Sequence, residues 1–64
     1  MDIDRALDRM DKTTLQIVKA DLLLYKRDHD TKRLEEAIAL IMQYSDASAD
    51  DIEKTIIGTL LRRL

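Results

Sequence analysis

The stretch DIDRALDRMDKTTLQIVKADLLLYKR, residues 2–27, decides the fold. Within it Ile3, Leu7, Met10, Thr14, Ile17, Asp21 and Leu24 follow one another at steps of four and three. That rhythm keeps a row of side chains on one side of an α-helix, where it can face another helix. One continuous helix over about residues 2–27 is the expectation. Thr13-Thr14-Leu15-Gln16 also fits a capping box, which would restart a helix at Thr13. The unbroken phase of the row favours continuity, with a bend at the threonines, whose helix propensity is low.

A second row lies beside the first: Asp4, Asp8, Asp11, Leu15, Val18, Leu22 and Tyr25. It changes from acidic to apolar halfway along. The N-terminal half therefore carries only a narrow stripe of Ile3, Leu7 and Met10, and the C-terminal half a broad one. A broad stripe belongs to a globular core, which places residues 14–25 inside. The narrow stripe makes a lighter contact, either with a second chain or with the third helix of the same chain. Asp21 falls within the broad arc. A buried carboxylate without a partner is costly, so the expectation is that Asp21 faces water. The competing reading makes it a specificity residue at a helix contact, met by a Lys or Arg from another helix.

Two polar runs follow, Asp28–Thr31 and Ser45–Ser48, and they separate helices over about residues 31–44 and 49–64. Asp30 or Thr31 can cap the second helix, and Ser48 the third. Asp50 and Asp51 at the start of the third helix, and Arg62 and Arg63 at its end, complement the helix dipole. The second helix gathers Leu34, Ala37, Ile38, Ile41 and Met42 on one face. The third sets Ile52, Ile56, Leu60 and Leu64 on one ridge, with Ile57 and Leu61 on the next. These arcs are wider than a three-helix bundle needs. Surplus apolar surface marks an interface, and Leu23, Leu40, Ile57 and Leu61 are the first candidates.

The fold expected is all-α: a three-helix bundle with a long first helix, one domain over residues 1–64, assembled as a dimer. Size supports the last element. A domain of 64 residues buries only about 60% of its unfolded surface and commonly needs a staple. There is no Cys to provide a disulfide or a thiolate metal site, so self-association is the remaining common one. Charged residues make up 38% and apolar residues 45%, with no Pro and one Gly, a profile that favours helices over disorder.

Several function classes lose support at once. The net charge of −2 is not the basic footprint of a nucleic-acid binder. In a helix-turn-helix the start of the third helix would read bases, yet Asp50 and Asp51 stand there and phosphate would repel them. Lys26, Arg27, Lys32 and Arg33 form a basic cluster, but Asp28 and Asp30 interrupt it. The apolar run Ala37–Met42 is too short to span a bilayer, and no signal-peptide pattern opens the chain, so cytoplasmic residence is the default. His29, between two aspartates, is expected in a solvated loop. Asp4, Asp8 and Asp11 form an acidic edge with no pocket over it. No nucleotide-binding or catalytic fingerprint occurs, and no catalytic, cofactor or metal residue is assigned.

The function expected is that of a small non-enzymatic regulator or adaptor acting through protein–protein interaction. It would self-associate, as a dimer in the first instance, through Ile3, Leu7, Met10, Asp21, Ile57 and Leu61. Two alternatives stay open: a dimeric helix-turn-helix-like regulator that binds nucleic acid, and a structural oligomerisation subunit of a larger assembly.

Overall fold

The first helix breaks at Asp11. In the computed structural model, which describes residues 3–64, a short α1 (Ile3–Arg9) is followed by α2 (Lys12–Asp28). Asp11 adopts an extended backbone, and its carboxylate accepts the Thr14 N–H at 2.8 Å. Its carbonyl accepts the Leu15 N–H at 3.0 Å. Asp11 is thus the N-cap of α2, two residues ahead of the Thr13 restart that the sequence allows. The hydrogen bonds to Thr14 hold its carboxyl below the usual carboxylate range, so the capping anion persists to a lower pH than a free aspartate would.

The single long helix is corrected on this point, and dimensions explain why. A straight helix over residues 2–27 would be about 39 Å long. The longest extent of the folded chain is 27 Å. Breaking at Asp11 lets α1 turn back onto the rest of the chain, where Ile3, Ala6 and Met10 are buried. The expected start at Asp2 lies outside the described residues.

The helix α3 (Thr31–Met42) begins with the Asp30 carboxylate accepting the Lys32 N–H at 3.0 Å. It ends two residues short of Tyr44 in a turn at Gln43 and Tyr44. The last helical run, α4, starts at Ala49–Thr55 behind a Ser48 cap on the Asp51 N–H, at 3.2 Å. It widens into a π-helical stretch, Ile56–Leu60, and closes with an α turn, Leu61–Arg63. The described residues therefore form four helices and no strand.

The π stretch has a cause in the apolar spacing. Ile52, Ile56 and Leu60 recur at steps of four, all three buried. In an α-helix four residues advance about 40° past a full turn, so such a ridge winds off the core. The wider i→i+5 turn takes up the excess and holds Leu60 over the same neighbours. Val18 and Leu22 of α2, with Leu34, Ala37 and Ile41 of α3, complete an aliphatic core. α2 and α3 pack together as an antiparallel pair, and α1 lies against α3. Ala6 and Ala37 are both fully buried, small side chains that allow close approach there.

Candidate interaction surface

Three local exceptions to helix-building rules meet on one side of the molecule. The first is His29. It follows α2 in the left-handed conformation, at φ 56°, and its N–H donates to the Tyr25 carbonyl at 2.7 Å. That position favours Gly, because a Cβ is strained there. The second exception is Gly58, the chain's one glycine, which sits inside α4. Its φ is not positive, and a Cβ built on it meets nothing within 4 Å. The third is the π stretch around Gly58 itself, a geometry frequent at functional sites.

Ile57 joins these features. It is 48% exposed, although the adjacent ridge of Ile52, Ile56 and Leu60 is buried. On one side it walls a hollow of about 330 Å³ with Tyr25, Lys26, His29, Leu61 and Arg62. On the other it walls a hollow of about 370 Å³ with Asp50, Glu53, Lys54 and Gly58. The Lys26 ammonium donates to the Leu61 carbonyl at 2.9 Å, tying the end of α2 to the end of α4. The Tyr25 ring meets the His29 imidazole edge-on, with centroids 6.0 Å apart. The result is an apolar knob between two hollows, rimmed by Asp50, Glu53 and Lys54 at one end and by Lys26 and Arg62 at the other.

His29 and Gly58 look exchanged. Gly suits the left-handed cap, and a residue with a side chain suits the helix interior. Consequently His29→Gly and Gly58→Ala are each expected to stabilise the fold, by about 1 and 0.5–1 kcal/mol respectively. Urea unfolding followed by circular dichroism measures both. A loss of stability in either variant would show that the native side chain, or its absence, carries a packing role.

The other residues singled out in the sequence fall elsewhere. Ile3 and Met10 are buried in the chain's own core. Leu7 is half-buried and lines a hollow of about 280 Å³ with Leu15, Val18, Leu60 and Leu64. The N-terminal stripe is thus packed within the chain. Leu61 is half-buried beside Ile57. Leu23 is exposed on α2, and Leu40 is half-buried on α3.

Asp21 does not face water. It is 2% exposed, and its Oδ1 lies 3.5 Å from the Arg33 guanidinium. The same guanidinium is 3.5 Å from Glu36, so one cation serves two carboxylates. The Asp21 Oδ2 is buried with no hydrogen-bond partner. Burial pushes the Asp21 carboxyl above its usual range, and Glu36 beside it adds to the shift against the opposing pull of Arg33.

The basic cluster around the α2–α3 turn is mostly engaged within the chain. Arg27 forms a two-pronged contact with Asp28, at 2.8 and 3.1 Å. Arg33 holds Asp21 and Glu36, and Lys26 holds the Leu61 carbonyl. Two residues beyond Leu61, Arg63 reaches Asp4 at 3.0 Å, pinning α1 to the end of α4. Both partners are exposed, so this bridge contributes orientation more than stability.

A larger, open hollow of about 600 Å³ lies between Arg9, Met42–Ala47 and Asp51. Its Ser45 hydroxyl accepts the Ala47 N–H at 3.1 Å and so serves the turn. Among the described residues no group of His, Asp and Glu is placed to hold a metal, and no helix is long and apolar enough to cross a membrane. Comparison with family models, curated proteins and solved structures gives no match.

Proposed function

We propose that this chain is a small non-enzymatic regulator or adaptor that works by protein–protein contact, with the Ile57 face as its contact surface. One observation carries the reading. The left-handed His29, the interior Gly58 and the π stretch are each locally unfavourable or unusual, and all three border the same exposed isoleucine. Sequences tend to break local rules where function demands it. An exposed apolar residue between hollows, with a charged rim, is the form of a helix-recognition surface.

The test uses the full chain immobilised as bait, beside its Ile57→Asp variant, in lysate of the cells that produce it. Ile57 is exposed, so the variant keeps its helical circular dichroism. The expected result is at least one protein held by the wild type and released by Ile57→Asp. Identical retention by both baits would overturn the assignment of this face. Salt-sensitive retention of both baits on heparin would favour the nucleic-acid alternative instead.

A further inference from the structure

We infer that the occupant of the Ile57 face is a second copy of this chain, packed antiparallel about a two-fold axis between Ile57 and Gly58. This rests on the contact-surface reading above and adds the identity of the partner. The charge pattern around Ile57 points to this occupant. Asp50, Glu53 and Lys54 line the hollow on one side of Ile57; Lys26, His29 and Arg62 line the hollow on the other. An isologous interface must be self-complementary, each patch meeting its own counterpart reversed. A strip with two carboxylates beside Lys54 at one end, Lys26 and Arg62 at the other and Ile57 between them has that property in its net charge.

The register follows from the numbering. An axis midway between positions 57 and 58 sets Ile57 opposite the partner's Gly58. It also sets Lys54 opposite the partner's Leu61 and Glu53 opposite the partner's Arg62. Each match does physical work. The open space over Gly58 admits an isoleucine, and the absence of a Cβ lets the two backbones approach. The Lys54 stem covers Leu61 while its ammonium stays in water. Glu53 and Arg62, both exposed, become an ion pair repeated twice by symmetry.

Area sets the class of interface to expect. A standard interface takes about 800 Å² per partner. The chain exposes 4405 Å², so that would be roughly a fifth of its surface. Tyr25 and His29, which line the hollow beside Ile57, add to the surface that α4 offers.

A charge exchange tests the register. Sedimentation equilibrium is run up to about 1 mM on the wild type, Glu53→Lys, Arg62→Glu and an equimolar mixture of the two variants. In either variant alone, like charges face each other twice, and the dissociation constant rises about tenfold. In the mixture one of the two pairs is opposite in sign with its charges exchanged, and the other is native. Association then returns toward the wild-type value. Gly58→Leu, which fills the hollow awaiting the partner's Ile57, is expected to stay folded and monomeric. Dimers that both charge variants leave unchanged, or no recovery on mixing, would overturn the antiparallel register. A wild type that stays monomeric throughout, while its bait still captures a protein lost by Ile57→Asp, would overturn the second copy and leave the contact surface standing. Loss of both results would remove the contact surface as well.

Discussion

Ile52→Ala is expected to leave the chain largely unfolded at 25 °C. Ile52 is fully buried, where α4 packs against α3. Replacing such a residue by Ala costs about 2–5 kcal/mol, the transfer term plus a cavity that relaxes only in part. A single core of this size seldom supplies more than about 3–5 kcal/mol in all. The loss therefore rivals the whole stability. Ile57→Ala is the matched control: the same chemistry, five residues on, at a side chain that is 48% exposed. It is expected to shift stability by no more than about 0.5 kcal/mol. Far-UV circular dichroism and urea titration separate the two. A folded Ile52→Ala would mean that the core collapses around the missing atoms, or that a second copy supplies stability which the single chain lacks. Repeating the titration at higher protein concentration distinguishes those cases, because only the second is concentration-dependent.

The contrast between Ile52 and Ile57 shows how far the sequence can be read. The periodicity of α4 separates two adjacent ridges, and the structure buries one and exposes most of the other. Asp30 and Ser48 announce their caps, because a side-chain oxygen before an apolar run has few other uses. The steps of four from Ile52 to Leu60 fit the face of an α-helix as well as a π stretch, so the widened turn is not marked in the sequence. The break at Asp11 is harder. The row from Ile3 to Leu24 keeps phase in number only: Ile3 and Met10 are buried, but beyond the break Ile17 is 42% exposed, and Val18 and Leu22 of the neighbouring row face the core instead. Phase within a row is thus weaker support for continuity than it looks. The identity of the small residue Ala6 as a core member is equally hidden beside Leu7. Two things are illegible in principle from one helix at a time. One is the left-handed turn at His29, where nothing like a glycine marks the spot. The other is which side chain crosses from a neighbouring helix, and that decides Asp21.

Arg33→Met is expected to cost about 2 kcal/mol at pH 7 and distinctly less at pH 4. Arg33 is the cation beside a carboxylate that is almost wholly buried, and removing it leaves that charge unpaired. Arg33 is itself about half exposed, so water screens part of the pair and the loss stays below that of a fully buried bridge. The pH dependence comes from Asp21. Its carboxyl is raised in the folded state, first by desolvation and then by Glu36, while the unfolded chain keeps the ordinary value near 3.9. The folded state therefore favours the protonated form. That contribution is complete below the unfolded value and is lost as the pH rises through the raised one. At pH 4 a larger share of Asp21 carries its proton in the folded chain than in the unfolded one, and the cation matters less than at pH 7. Asp21→Asn mimics the protonated acid: its oxygen can accept from Arg33 and its amide can donate to Glu36. It is expected to match the wild type at low pH and to exceed it at pH 7, with a flatter stability profile between. Urea titrations of the three proteins at both pH values decide the matter. Should Asp21→Asn prove less stable than the wild type at pH 7, the attraction of Arg33 outweighs burial and the sign of the Asp21 contribution is reversed. If it proves more stable, the buried acid is kept at a cost to the fold. The reason then lies in what a charged, single-partner contact specifies between α2 and α3 rather than in what it stabilises.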